Sequence, residues 1–325
     1  GLDLYPRVRR FGIGWLAVRI GRRPKSRKPH DRENLFCGRR FGRTLYLGGR
    51  VWPLKFMLKG FACFLSARWT PALICKDRIW SRQSKQYKIT HFLERRSAEF
   101  ATVISSGTRF MQERLESWKV RAKFFKIPSV AAQEKFQFRQ ADRELVRGEL
   151  GLSEERPVLL YPGKFGDLYY KEETPRFFEW LRQEIDGLYL LIVTPHSDEE
   201  VFALFDSQGI SRDHYRITHS DYSQIDRYYS AADFGLIAVP PGPSKCFISN
   251  IKVGEYLCSG LPYLVTRGVS EDYCYAEDYQ VGVVVDDFVE SEARRVAPLL
   301  ADYLRRERQE LRVLSASDHR VAQLS

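Results

Sequence analysis

Residues 228–266 read YYSAADFGLIAVPPGPSKCFISNIKVGEYLCSGLPYLVT and join two buried strands through a loop and a helix. The apolar run at 234–239 predicts the first strand, and the proline and glycine cluster at 240–243 ends it. A second apolar run at 263–266 predicts the next strand. The ends of consecutive parallel strands meet at one edge of a sheet, where ligands bind in open α/β folds.

The helix between these strands carries one carboxylate in apolar surroundings, that of Glu255. Ser249 or Asn250 can cap its start, and Gly260 can close its end. The uncapped N–H groups at such a helix start favour phosphate. Helical periodicity directs Val253 and Leu257 toward the sheet. The same periodicity directs three other side chains away from the sheet: Lys252, Glu255 and Tyr256.

Strands and helices alternate through the whole second half of the chain. The expected strands begin near residue 158 and at 188–195, 215–219, 234–239, 263–266 and 281–286. The first expected helix ends at residue 181, and the next two cover 199–209 and 222–232. The fourth ends at residue 257, and the last begins near residue 291. Alternation of this kind predicts an α/β fold with a doubly wound parallel sheet and right-handed crossovers.

The motif YYSAADFGLIAV followed by SNIKVGEYLCSGLPYLV resembles the nucleotide-sugar motif of retaining GT-B glycosyltransferases of the broad family 4, or group 1, type. These enzymes have two Rossmann-like domains, and many act in surface-glycan biosynthesis. The resemblance implies an N-terminal acceptor-side domain at 1–148 and a C-terminal nucleotide-sugar domain at 149–325. It also implies transfer of a sugar from a nucleoside diphosphate sugar to a glycan or lipid-linked acceptor, with retention and without a metal or other cofactor.

The resemblance assigns a catalytic set of Lys164, Lys171 and Glu255. The two lysines match the cations that clamp the diphosphate, and Glu255 matches the carboxylate that accepts the ribose hydroxyls. The implied donor-binding residues are Gly163, Gly166, His219, Ser249, Asn250, Ile251, Lys252, Glu255 and Asp272. The implied acceptor-side residues are Asp77, Arg78 and Ser105.

Plainer interpretations of these residues stay open at this stage. Glu255 could be a helix-surface charge paired with Lys252, and His219 a surface loop histidine. Lys164 and Lys171 could be solvated lysines of a βα turn, and Asp77 with Arg78 could form a surface ion pair.

One departure from the family pattern leaves other functions open. Many relatives carry a second Glu eight positions before Glu255, contacting the donor sugar, and this chain has Phe247 there. Phe247 favours one alternative, a catalytically degenerate GT-B scaffold protein. The other alternative is a GT-B-fold sugar-nucleotide epimerase, which would share the sheet and the phosphate site.

Two kinds of sequence feature are absent, and both absences limit the interpretation. Residues 1–50 show neither the opening strand nor the glycine-rich loop of a GT-B N-terminal domain, so we expect that domain to be truncated. Neither an Asp-x-Asp motif nor a His/Cys cluster with metal spacing occurs. Charge compensation at a diphosphate is then expected from lysines and helix dipoles.

Charge is divided unevenly between the two halves of the chain. Residues 1–150 hold 34 Lys and Arg against 12 Asp and Glu, and residues 151–325 hold 18 against 29. A basic half of net +22 predicts an anionic partner. We favour an anionic membrane surface and expect no nucleic acid, since no nucleic-acid motif accompanies the charge.

The segment 52–69 suits a helix with lysines on one face and aromatic residues around the rest. It is either an interfacial membrane helix or an ordinary Rossmann-domain helix.

Six cysteines without a paired framework favour a reducing compartment. The expected location is cytoplasmic, peripheral on the inner face of the membrane.

Overall fold

The computed structural model describes the backbone of residues 7–11, 15–19, 44–46, 62–64, 85–242 and 245–305. Side chains are described within the last two ranges, apart from those of Gln86 and Thr90. The chain divides into two compact units, residues 1–39 and 40–325. The expected domain boundary between residues 148 and 149 stays a prediction.

The first unit contains an antiparallel pair, β1 (Arg7–Phe11) and β2 (Trp15–Arg19), with Arg9 opposite Ala17. The second unit contains a short parallel pair, β3 (Thr44–Tyr46) and β4 (Ala62–Phe64). β4 lies inside the segment for which the sequence predicted a helix at 52–69. The prediction is wrong at residues 62–64, because periodicity alone does not separate a short apolar strand from a helical segment.

A helix, a strand and a second helix follow in the chain. They are α1 (Lys85–Phe100), β5 (Val103–Ser106) and α2 (Arg109–Ser117). β5 pairs in parallel with β6 (Lys123–Lys126). Their apolar side chains, together with Phe247 from the second half of the chain, form one buried cluster: Ala98, Ala101, Ile104, Met111, Leu115 and Phe247.

The second half of the chain builds the predicted doubly wound sheet. All of its pairings are parallel, and the spatial order is β12-β11-β10-β7-β8-β9. The strands are β7 (Val158–Pro162), β8 (Tyr189–Val193), β9 (Tyr215–Thr218), β10 (Phe234–Ile237), β11 (Tyr263–Thr266) and β12 (Gly282–Val285).

Helices cover both faces of this sheet. They are α3 (Gln140–Leu150), α4 (Glu173–Glu184), α5 (Asp198–Asp206), α6 (Asp226–Ala231), α7 (Ile251–Cys258), α8 (Asp272–Asp278) and α9 (Glu290–Leu304). Within the ranges whose coordinates are described, no helix is both long and apolar enough to cross a bilayer.

Each face of the sheet has its own core, because successive side chains of a strand point to opposite faces. Leu159 lies in the core under α4, α5 and α9, and its neighbour Leu160 lies in the core under α3, α6, α7 and α8. Both residues are fully buried. β7, β8 and β10 are therefore buried at every position, as expected for a parallel sheet covered on both sides.

The sequence predicted that Tyr256 points away from the sheet, and this prediction is wrong. Its side chain is fully buried, and its hydroxyl donates to Leu236 O at 3.1 Å, so it faces the sheet. Gly235 in β10 makes this possible, because a Cβ at that position would lie 2.5 Å from the Tyr256 ring. A glycine inside a strand often marks such a close approach.

Candidate functional site

The strand order locates a crevice between β7 and β10. The chain runs from β7 outward to β9 on one side, then returns to β10 on the other side of β7. This reversal is the topological switch point, beyond whose strand ends ligands bind in open α/β sheets. The turn after β7 flanks it on one side, and the loop from β10 together with α7 flanks it on the other; these segments carry most of the predicted donor-binding residues.

The turn after β7 holds the two glycines and two lysines that the sequence selected. Gly166 has φ +81°, a conformation that suits glycine, and its N–H donates to Tyr170 O at 3.4 Å. The side chains of Lys164 and Lys171 are exposed at this turn. Lys171 Nζ lies 3.5 Å from the exposed Glu172 carboxylate, a contact that solvent weakens.

Lys252 reaches from α7 to this turn. Its Nζ lies 4.3 Å from the centre of the Tyr169 ring, a cation–π distance. It also approaches Gly163 so closely that a Cβ there would lie 2.7 Å from Nζ. The structure therefore brings together Gly163 and Lys252, two of the predicted donor-binding residues, with Tyr169 as a third member that the sequence did not indicate.

Glu255 lies inside the protein, which excludes its interpretation as a helix-surface charge. Its exposed fraction is 6%, and its Oε2 accepts a hydrogen bond of 2.6 Å from the Tyr229 hydroxyl. A buried carboxylate is costly unless hydrogen bonds compensate its lost hydration. Burial, with the nearby Glu255 charge, raises the pKa of Tyr229 well above its ordinary value, so this phenol stays a donor.

The start of α7 is fixed by local and distant contacts. The Asn250 side chain caps the helix by accepting from Lys252 N at 3.3 Å, and Ile251 follows as the first helical residue. Ser249 is held by Ser129, which lies between β6 and α3. Its Oγ accepts from Ser129 N at 2.7 Å, and its carbonyl accepts from Ser129 Oγ at 3.0 Å.

The end of the turn after β11 and the first residue of α8 are both acidic: Glu271 and Asp272. Asp272, the predicted one, is fully buried. Glu271 accepts hydrogen bonds from the Arg109 backbone N–H, from Lys126 Nζ at 3.2 Å and from the Tyr275 hydroxyl at 2.8 Å. Burial acts to raise the pKa of Glu271, but these donors outweigh burial and lower it. Glu271 therefore connects α2 and β6 to the start of α8.

His219 lies at the end of β9 with both ring nitrogens engaged. Nδ1 lies 2.8 Å from Thr194 O, and Nε2 lies 2.8 Å from Asp198 Oδ1. Both partners only accept, so the imidazolium form satisfies both contacts. The hydrogen bond with Asp198, followed by that with Thr194, raises the pKa of His219. Contact between His219 and a nucleobase stays a prediction. Because both ring nitrogens are engaged, a nucleobase would have to stack on the face of the imidazole ring.

Phe247, at the position where many relatives carry a second Glu, is a buried residue. It is 9% exposed and packs in the cluster formed by α1, β5 and α2. The Arg114 guanidinium lies 5.1 Å from its ring centre and pairs with Glu94 at 2.9 Å. Phe247 therefore packs the loop between β10 and α7 against α1, β5 and α2.

The acceptor-side predictions are only partly covered. Ser105 is half-buried in β5, and Asp77 and Arg78 lie outside the described residues. Among the described side chains, no group of three or more His, Cys, Asp or Glu could hold a metal ion.

Four residues around the crevice were not expected from the sequence: Tyr169, Tyr229, Ser129 and Glu271. Tyr229 had a usable signal, since it lies in a helix just before the apolar strand β10. The contacts of Ser129 and Glu271 span 120 and 162 residues of sequence, so no local pattern indicates them.

Comparison with solved structures identifies the fold. WaaG, a glycosyltransferase involved in lipopolysaccharide biosynthesis, matches with a TM-score of 0.57 and 17% identity over 77% of this chain and 68% of WaaG. A sucrose-phosphate synthase from Thermosynechococcus elongatus matches with a TM-score of 0.58 and 17% identity, covering 83% of this chain and 69% of the synthase. The chain has a GT-B fold. Anabaena HepE in complex with UDP-glucose shares this GT-B fold, with a TM-score of 0.57 and 12% identity over 86% of this chain and 73% of HepE. No protein-family model and no curated protein matches the sequence.

Proposed function

We propose that this protein is a glycosyltransferase that moves a sugar from a nucleoside diphosphate sugar to a glycan or lipid-linked acceptor, with retention. One observation carries the proposal: a buried carboxylate, Glu255, lies in the helix that borders the switch-point crevice. Support comes from the GT-B fold and from HepE, which has been seen with UDP, with UDP-glucose, and with UDP and glucose.

The described residues suit a division of labour along the donor. The carboxylate of Glu255 suits the ribose diol, because two acceptor oxygens match two neighbouring hydroxyl donors. Lys252, Lys164 and Lys171 supply positive charge beside Gly163 and would stabilise the diphosphate as it leaves. The protein then contributes mainly by positioning the reactants and by stabilising charge.

A panel of nucleoside diphosphate sugars with UDP, GDP and ADP tests the proposal. We expect one donor to raise the melting temperature, since a ligand that binds only the folded state stabilises it. Mass spectrometry with candidate acceptors should then show a glycosylated acceptor with the anomeric configuration kept. Turnover of the donor to an epimer without an acceptor would contradict transfer, and binding without any turnover would indicate a degenerate scaffold.

Substitution of the two turn lysines should separate phosphate contacts from nucleoside contacts. Lys164→Ala and Lys171→Ala should each weaken UDP binding by about tenfold, which corresponds to about 1.4 kcal/mol for a charge-assisted contact. Uridine affinity should not change, because uridine has no phosphate. Isothermal titration calorimetry measures both, with the exposed Lys88→Ala on α1 as a control. Equal losses for UDP and uridine would argue against a diphosphate clamp.

We also propose that an anionic membrane surface is a partner of the basic half. The exposed face of α1 supports this, since it combines large apolar side chains with cations. Ile89, Phe92 and Phe100 are 59%, 56% and 44% exposed. The exposed cations on this helix are Lys85, Lys88, Arg95 and Arg96. Such a surface suits apolar contact with lipid together with attraction to acidic headgroups.

Liposome sedimentation tests this partner. Binding should need acidic lipid and should weaken as salt rises, because the Debye length falls from about 10 Å at 0.1 M to about 3 Å at 1 M. Lys88→Glu with Arg95→Glu should lower binding by about 30-fold, at about 1 kcal/mol for each of the two cations removed from the surface. The matched control, Arg176→Glu in α4 with Arg216→Glu in β9, changes the net charge equally at two exposed positions away from α1 and should bind as the wild type does. Equal losses of liposome binding in the two double variants would show that α1 is not the membrane-binding surface.

A further inference from the structure

The hydroxyl of Tyr229 is rigidly placed beside the Glu255 carboxylate. Tyr229 is fully buried in α6, and its hydroxyl lies 2.6 Å from Glu255 Oε2. A carboxylate only accepts, so the phenol donates, and a donor to a charged acceptor makes a short, strong hydrogen bond. This contact joins two helices that are separated along the chain by β10 and by the loop after it.

Aromatic packing prevents the Tyr229 ring from turning away. The Phe136 ring meets it edge-on with centres 5.1 Å apart, and the Tyr256 ring lies 5.3 Å away on a tilted plane. Both neighbours are fully buried. Side chains in a close-packed core keep one rotamer, so the hydroxyl has a fixed position relative to α7.

We propose that Tyr229 is a positioning residue, which holds the Glu255 carboxylate in the one orientation that accepts both ribose hydroxyls of a nucleoside diphosphate. The inference rests on the proposed function, because it assumes that Glu255 meets a ribose. A carboxylate held in advance binds a diol without first losing rotamer freedom, and a site built for hydroxyl groups discriminates against analogues that lack them. Tyr229 would therefore act on the ribose without touching it.

A substitution pair separates this role from ordinary packing. Tyr229→Phe keeps the ring and removes only the hydroxyl beside Glu255. Tyr256→Phe also removes one buried hydroxyl from the same aromatic group, but that hydroxyl donates to Leu236 O in the sheet at 3.1 Å. The two variants should therefore show similar small falls in melting temperature, and only the first should change how the site treats a ribose.

Calorimetric titration with UDP and with 2′,3′-dideoxy-UDP tests the proposal. The wild type should prefer UDP. Tyr229→Phe should weaken UDP by about tenfold while the dideoxy analogue changes less than about twofold, as expected for loss of one charge-assisted contact. Tyr256→Phe should leave both affinities unchanged. In a Glu255→Gln background, Tyr229→Phe should have no further selective effect on UDP.

A second variant covers the case in which Tyr229→Phe does not fold. Glu255→Asp shortens the side chain, withdraws the carboxylate from the Tyr229 hydroxyl, and should cause the same selective loss of UDP. Equal weakening of UDP and dideoxy-UDP by Tyr229→Phe would show a packing role and overturn the inference, as would full preference for UDP in that variant. Failure of the proposed function is distinct: the wild type itself would bind no nucleoside diphosphate or would not distinguish UDP from its dideoxy analogue.

Discussion

Arg147→Met should lower the free energy of unfolding by about 3 kcal/mol, because it removes the buried guanidinium that pairs with the part-buried Asp233 carboxylate. Arg147 lies in α3 and is 2% exposed. Its guanidinium donates to Asp233 Oδ2 at 2.6 Å and to Ala231 O at 3.0 Å. It also donates to three carbonyls just after α3, those of Ser153, Glu154 and Arg156.

The Asp233 carboxylate keeps two of its partners in the Arg147→Met variant. Arg143 Nη1 lies 2.9 Å from its Oδ1, and the Val158 backbone N–H donates to its Oδ2 at 2.8 Å. Arg147→Met should still lower the melting temperature by about 6–12 °C for a region of this size. Arg182→Met is the matched control, since Arg182 forms a part-exposed pair with Glu179 and should contribute less than about 1 kcal/mol. Similar melting temperatures for the two variants would contradict the role of Arg147.

Glu255→Ala should weaken binding of a nucleoside diphosphate by about 1.5–3 kcal/mol, or about 10-fold to 150-fold, because hydrogen bonds to a charged group are lost. The affinity is measured by calorimetry with UDP, ADP and GDP, and circular dichroism checks the fold. Glu179→Ala removes a carboxylate from α4, where it pairs with Arg182, and should bind as the wild type does. Unchanged affinity in Glu255→Ala would exclude Glu255 from the donor site.

The sequence was sufficient where local pattern and global fold agree. Apolar runs such as 158–162 and 263–266 became strands of the parallel sheet, and the carboxylate of Glu255 lies in the helix between two of them. Period and punctuation suffice there, since each βα unit carries its own signals.

The remaining features depend on contacts between distant segments. Tyr256 faces the sheet because Gly235 leaves room for its ring, and no periodicity within α7 reports what β10 lacks. The strand at 62–64 depends on its partner at 44–46. The bonds from Tyr229 to Glu255 and from Arg109 to Glu271 join segments that meet only in the folded chain. Sequence reasoning therefore located the crevice more completely than it located the side chains that hold it in place.

A crystal structure of the protein with its preferred nucleoside diphosphate tests the central claim most directly. The ribose hydroxyls should lie within hydrogen-bonding distance of the Glu255 carboxylate, at about 2.5–3.0 Å between oxygen atoms. The diphosphate should lie beside Lys252 Nζ and the turn at Gly163. A nucleotide bound elsewhere, or bound in the crevice with its ribose turned away from Glu255, would contradict the account.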